Sequence, residues 1–160
     1  MPMSLKKEII PILKLKKVKT KNIEAGGGVV FKKSPKKEVL VLLIYRNGVW
    51  DIPKGKREKK ESRKMCARRE VMEEVNADSL PIIVEDLVST YHSYQEKGNL
   101  YNKTTYWYSM EFENSDQSFS PEVSEGIEKV EWVELDKAIS NVGYKNLIPV
   151  LEDFQLKIKA

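Results

Sequence analysis

The 160 residues carry 41% hydrophobic and 32% charged side chains, enough for one globular domain with a sizeable core. With 28 Lys and Arg against 24 Asp and Glu the formal net charge is only +4, which suits phosphate-bearing partners without specifying one. One cysteine, Cys66, and one histidine, His92, exclude an internal disulfide framework, a multi-cysteine zinc site and a His-rich metal site, so any metal must be held by oxygen.

No apolar run approaches the roughly 20 residues a membrane span requires. The start, MPMSLKKEIIPILKLKKVK, has too short an apolar patch for a secretory signal and no small-residue cleavage site. A cytoplasmic protein with no membrane partner is expected. Residues 1–22 read as a basic N-terminal extension in which Lys6, Lys7, Lys14, Lys16, Lys17, Lys19 and Lys21 outweigh Glu8. Such a leader is a solvated arm or an added edge strand, and nucleic acid is not the expected partner.

From Glu24 the text turns strand-like: EAGGGVVFKK, then EVLVLLIYR after Ser34-Pro35, then Asn47-Gly48 as a tight turn into VWDI, a hairpin leading to a third short strand. Lys54–Lys60 reads as a polar, glycine-containing loop. Ser62 opens a helix that runs to Val75 through strong helix formers with no Gly or Pro. After Pro81, IIVEDLVSTY and KTTYWYSMEF alternate as two strands, with HSYQEKGNLYN as a long polar connection between them. EKVEWVEL is a further strand after the loop SDQSFSPEVSEGI. Leu147, Leu151, Phe154 and Ile158 then fall at helical spacing, with Pro149 tolerable in the first turn. Strands around two helices imply an α/β layered domain over residues 23–160.

The segment REVMEEVNA crowds Glu70, Glu73 and Glu74 onto one helix. At about 100° per residue, Glu74 lies roughly 40° to one side of Glu70 and Glu73 roughly 60° to the other, so all three share a face. Like charges at this spacing repel. On spacing alone this is first a solvated face offset by Arg63, Arg68 and Arg69; the other reading, which a flexible loop beside the helix favours, is a carboxylate platform for a hard divalent cation, whose binding relieves the repulsion.

The wider pattern bears on that choice. GKREKKESRKMCARREVMEEVNA resembles the Nudix box: Gly55, five residues, Glu61, seven residues, Arg69-Glu70, aliphatic Val71, Met72, Glu73-Glu74, Val75, and aliphatic Ala77. A chance match in a chain this long occurs on the order of once in a hundred thousand or less. Asn76 stands where the family usually has glycine; Asn is the side chain that best tolerates the left-handed backbone expected at this helix end. The resemblance extends through AGGGVVF, WDIPKGK and EGIEKVEWVEL, over approximately residues 24–140.

The resemblance implies a Nudix-type α/β/α sandwich with a mixed central β-sheet. It also implies a pyrophosphohydrolase that uses Mg2+ or Mn2+ to cleave a phosphoanhydride bond in a nucleoside diphosphate derivative. Carried onto this chain, Glu70, Glu74 and Glu73 and the backbone carbonyl of Lys54 are metal ligands, and Glu73, Glu74 and Arg69 belong to the catalytic group, Arg69 pairing with Glu61 to orient the carboxylates. The family's fourth acid, a ligand or general base outside the box, falls on Glu125, with Glu122 as the alternative. Lys54, Lys56 and Arg57, beside the box, are placed to grip phosphate or else belong to a solvated loop. Tyr106, with Tyr91, Tyr94 and Tyr101, flanks the polar connection where a ring can stack on a base. His92 is a substrate contact or a surface residue; Cys66 is a packing residue, and Trp50 and Trp132 are core.

WDIPKGK and NKTTYWYSMEF look more like the branch acting on diadenosine polyphosphates or inositol pyrophosphates than the MutT-like branch acting on nucleoside triphosphates. A dinucleoside polyphosphate is therefore the first expected substrate, a nucleoside triphosphate the alternative, and a non-catalytic nucleotide-binding regulator the third reading. The assembly is expected to be a monomer or homodimer.

Overall fold

The computed structural model describes residues 19–159. Eight strands and three helices follow in the order β1 (Thr20–Lys33), β2 (Val39–Arg46), β3 (Val49–Asp51), β4 (Lys54–Lys56), α1 (Arg63–Glu74), β5 (Ile82–Asp86), β6 (Thr90–Glu96), β7 (Asn99–Glu111), β8 (Ile127–Glu134), α2 (Leu135–Asn141) and α3 (Leu147–Lys159), with a 3-10 turn at Val123–Glu125.

The sheet is mixed. β1 runs parallel to β7, while β2 and β4 pair with β1, β3 and β8 with β2, and β5 and β6 with β7, all antiparallel. Strand alternation divides the apolar side chains between two cores. Val29, Val41, Leu43 and Trp107 face one side and meet α2 and α3 through Leu135, Ala138, Leu147, Leu151 and Phe154. Their neighbours Val30, Leu42, Ile44 and Met110 face the other and meet Ala67 and Val71 of α1. Helices on both faces of one mixed sheet make the α/β/α sandwich.

α1 starts where Ser62 accepts a hydrogen bond from the Met65 N–H at 3.0 Å, satisfying one of the free donors of the first turn. It ends at Asn76, which adopts φ 50°, while the Ala77 N–H returns to the Met72 carbonyl at 3.0 Å. The helix buries only Cys66, Ala67, Val71 and Glu74, so its seat depends on close approach. A Cβ on Gly26 would lie 2.8 Å from the Ala67 nitrogen. Glycine at 26 thus lets the acidic face of α1 reach the sheet.

Several expectations change. Lys54–Lys56, read as loop, is the short strand β4 in register with Gly27–Ala25. HSYQEKGNLYN is a hairpin: Lys97 and Gly98 both take positive φ and turn β6 directly into β7, with Tyr94 opposite Tyr101. IIVEDLVSTY accordingly divides into β5 and β6. LDKAISN forms α2, a third helix. The fully buried tryptophan is Trp107, while Trp50 and Trp132 are half-buried at the margins of the two cores. Of the basic extension, residues 1–18 lie outside the described residues, and Thr20–Asn22 are already β1, in register with Leu100–Asn102. No helix among the described residues is long and apolar enough to cross a membrane.

Candidate active site

Glu70 and Glu74, one turn apart on α1, reach β4, Glu74 at Lys54 and Glu70 at Gly55. Glu74 is 2% exposed. It accepts the Lys54 N–H at 3.0 Å on one carboxylate oxygen and Arg46 Nη1 at 3.3 Å on the other. Burial pushes its carboxyl up to about 7, against the opposing pull of Arg46 and of the Lys54 N–H. Burial also raises the Glu70 carboxyl, partly offset by Arg69. Its carboxylate lies against Gly55 so closely that a Cβ there would be 1.9 Å from Oε2. A side chain at 55 would have to displace the end of Glu70.

Arg69 is the anchor of this arrangement. Its Nε donates to Glu61 Oε2 at 2.6 Å and its Nη2 to Glu61 Oε1 at 3.0 Å, a bidentate pair. Nη1 donates to Glu70 at 2.8 Å and to Glu73 at 3.2 Å, and Nη2 to the Lys56 carbonyl at 3.1 Å. The hydrogen bonds from Arg69 hold the Glu61 carboxyl below its usual range.

A cavity of about 360 Å³ is lined by Glu70, Glu74, Glu125, Gly55, Lys54, Lys56, Arg46 and Lys103. It shares Arg46, Lys54, Lys103 and Glu125 with a larger one of about 510 Å³, whose further lining includes Asp51, Thr90, His92, Thr105, Trp107, Tyr144 and Asn146. Asp51 is buried and accepts Lys54 Nζ at 2.7 Å and Arg46 Nη2 at 3.4 Å. Lys103 is pulled below the usual lysine range by burial first and by Lys54 and Lys56 next. The acids of the box therefore share a cavity with a basic wall, which also lines a larger pocket with the rings of His92, Trp107 and Tyr144.

Of the residues expected at the site, the cavities gather Lys54, Lys56, Glu70, Glu74 and Glu125. Glu125 and Glu122 separate: the Glu122 carboxylate caps the 3-10 turn, accepting Ser124 N–H at 3.2 Å and its hydroxyl at 2.9 Å, whereas Glu125 faces the acids of α1. Glu73 is half-exposed and tied to Arg69, outside the lining of either cavity. Arg57 and Tyr106, expected to touch substrate, are placed elsewhere. Arg57 donates to the Glu61 carbonyl at 2.7 Å and pairs with Glu24, and Tyr106 points to the α1 side of the sheet, where the Arg63 guanidinium lies 4.0 Å from its ring centre. Tyr91 is exposed; Tyr94 stacks between His92 and Tyr101. Cys66 is buried, its thiol pushed up to about 11 by burial, in keeping with a packing role.

Arg46, Asp51, Lys103 and Tyr144 were not singled out in the sequence, although Asp51 lies within WDIPKGK and Lys103 within NKTTYWYSMEF. The available signal for Lys103 was the alternation of β7, which puts residues 103, 105 and 107 on the cavity side and residues 106 and 108 on the α1 side.

A family model described as the NUDIX domain matches residues 25–154. The chain belongs to the Nudix family. It is by that membership a Nudix pyrophosphohydrolase acting on acid anhydrides. Among solved structures, Nudix proteins align over most of their length: C. elegans Ap4A hydrolase at 25% identity and TM-score 0.61, covering 85% of this chain and 98% of that one, and E. coli dihydroneopterin triphosphate pyrophosphohydrolase at 17% identity and TM-score 0.64, covering 86% and 96%. The NUDIX domain of Shewanella oneidensis NrtR, complexed with ADP ribose, aligns at 17% identity and TM-score 0.63, covering 86% and 88%. At these identities the likeness is one of fold. A search of curated proteins returns no match.

The Nudix box implies a divalent cation, and the residues fit one in donor chemistry: the carboxylates of Glu70, Glu74 and Glu125 line a single cavity, with a glycine at 55 that leaves room for the Glu70 carboxylate. Among the described residues no three carboxylate, imidazole or thiolate groups converge on one point as they stand; Glu74 is engaged with Arg46 and Glu70 with Arg69.

Proposed function

We propose that this Nudix hydrolase cleaves a phosphoanhydride bond in a nucleoside diphosphate derivative with the help of Mg2+ or Mn2+, and that a dinucleoside polyphosphate is the substrate class its site favours. The observation that carries the reading is the continuity of the acidic cavity with a basic, ring-lined pocket through Arg46, Lys54 and Lys103.

Glu70 and Glu74, with the Lys54 carbonyl and Glu125, are the residues that would hold the cation, and Glu73 stands by on the outer side of the helix. When bound, the cation neutralises phosphate charge and lowers the pKa of a water. The rest of the work belongs to the chain. Arg69 holds the box in shape through Glu61 and Glu70, an outer-shell task suited to a rigid donor fork. Lys54, Lys103 and Arg46 offer a line of cations along which a polyphosphate can lie, and Lys56 adds one more at the acidic end. His92 and Tyr144 both line the larger cavity, and His92 is backed by stacked Tyr94 and Tyr101. A nucleobase entering the pocket therefore meets a braced ring on which to stack. Glu125, facing Glu70 and Glu74 across the cavity, is the acid placed to take a proton from the attacking water.

The test is a panel. The protein with Mg2+ is incubated with dinucleoside polyphosphates, nucleoside triphosphates, nucleotide sugars and 5′-triphosphorylated RNA, and the products are identified. Faster turnover of dinucleoside polyphosphates supports the substrate class, and preferential turnover of a nucleoside triphosphate overturns it. No turnover of any member, with nucleotide binding retained, supports instead a non-catalytic regulator.

A further inference from the structure

We propose that Arg46 is a positioning residue with two successive partners: it holds Glu74 Oε2 while no divalent cation is present, and yields that oxygen to turn toward the substrate's phosphates when one binds. The inference rests on the reading of Glu70 and Glu74 given above.

The geometry points to a shared, loosely held guanidinium. Arg46 lies 3.3 Å from Glu74 Oε2, 3.4 Å from Asp51 Oδ2 and 3.5 Å from the Glu125 carbonyl. All three exceed the roughly 2.7–2.9 Å of a well-formed charge-assisted bond. Arg69 provides the contrast within the same site, at 2.6 Å from Glu61 and 2.8 Å from Glu70. Both arginines serve several acceptors, but the bonds of Arg69 to Glu61 and Glu70 are short and those of Arg46 are all long.

Its partners are unequally dependent on it. Asp51 keeps Lys54 Nζ at 2.7 Å and the Ile52 N–H at 2.8 Å if Arg46 leaves. Glu74 keeps only the Lys54 N–H, on Oε1. Departure of Arg46 thus bares Oε2 of a carboxylate whose other oxygen stays fixed. A buried charge left so exposed needs a replacement cation. Arg46 also lines both cavities, so the motion that releases Glu74 keeps the guanidinium beside the path along which a polyphosphate would lie. Removing the positive charge should then make the acidic pocket bind a metal more tightly, the reverse of what loss of a structural support would do.

The experiment is Mn2+ binding to the full chain without nucleotide, followed by electron paramagnetic resonance. Arg46→Gln is expected to bind Mn2+ about threefold or more tightly than wild type, because a positive charge next to the site is gone, and Arg46→Lys to return the affinity toward wild type. Equal or weaker Mn2+ binding by Arg46→Gln would overturn the proposal. A second measurement uses the wild-type protein alone: the Arg46 side-chain nitrogen resonances should move on addition of Mg2+ and move again with inorganic pyrophosphate, and no response to either would also overturn it. Glu74→Gln separates this proposal from its foundation. If that variant binds Mn2+ as wild type does, the assignment of Glu74 as a ligand fails, whatever Arg46 does.

Discussion

The Glu70 carboxylate occupies the space a side chain at position 55 would need: a Cβ on Gly55 would sit 1.9 Å from Glu70 Oε2 and 2.0 Å from its carboxyl carbon. The first glycine of the box and its first helix acid are therefore one steric unit. Gly55→Ala is expected to displace the end of the Glu70 side chain rather than the backbone. Activity should fall by about 100-fold, as expected when a catalytic group is moved by roughly an ångström. The thermal midpoint should shift by no more than about 4 °C. Steady-state kinetics beside a melting curve checks this, and a variant with full activity would contradict it.

Arg69 ties Glu61 on the loop to Glu70 and Glu73 on the helix. Arg69→Lys keeps the charge but loses the fork, so kcat should fall about 10- to 100-fold. Arg69→Ala should in addition destabilise the fold by about 2–4 kcal/mol, because Glu61 and Glu70 are then left largely buried without their partner. Urea unfolding of the two variants separates the effects.

Glu24 on β1 accepts Arg63 Nε at 2.7 Å, and this hydrogen bond, with the charge of Arg63, holds the Glu24 carboxyl below its usual value. A carboxyl whose folded pKa is depressed adds stability above its unfolded pKa and loses it as the pH falls through the folded one. Wild type should thus be more stable than Glu24→Gln near neutrality, and the difference should shrink as the pH falls from about 5 to about 3. Denaturation at a series of pH values measures it. A difference that grows on acidification would contradict the pairing.

Asn76 takes φ 50° at the end of α1 and donates from Nδ2 to the Ser120 carbonyl at 3.2 Å. Asn76→Ala should cost about 1–2 kcal/mol, since alanine pays the left-handed penalty and loses the side-chain bond. Asn76→Gly should stay within about 0.5 kcal/mol of wild type, relief of backbone strain offsetting the lost bond. Neither should change kcat, because Asn76 touches no residue of the cavity.

These predictions draw on features of unequal legibility. The capped helix, the box and the left-handed end at Asn76 could be read from the chain because each is local: Ser62 caps its own helix, and the acids of α1 are neighbours by spacing alone. The β6–β7 hairpin was hidden because β6 is polar and mostly exposed, so Lys97-Gly98 looked like the middle of a loop. α2 was too short for its periodicity to show. The basic wall was hidden for a different reason. Lys103 comes beside Ile23 through the parallel pairing of β1 and β7, and Arg46 meets Glu74 from 28 residues away. Such meetings depend on topology, which no short window of sequence carries. The reading of Tyr106 as a ring beside the polar connection took no account of strand alternation, which sends its side chain to the α1 side of the sheet.

The central claim is that Glu70 and Glu74 carry a cation-dependent attack on a phosphoanhydride. It is tested most directly by 31P NMR of wild type and Glu74→Gln with Mg2+ and the best nucleotide of the panel. The account predicts that the anhydride resonances decay with wild type, stop decaying on addition of a chelator, and decay at least about 100-fold more slowly with Glu74→Gln. Equal decay with Glu74→Gln, or decay unaffected by the chelator, would contradict it.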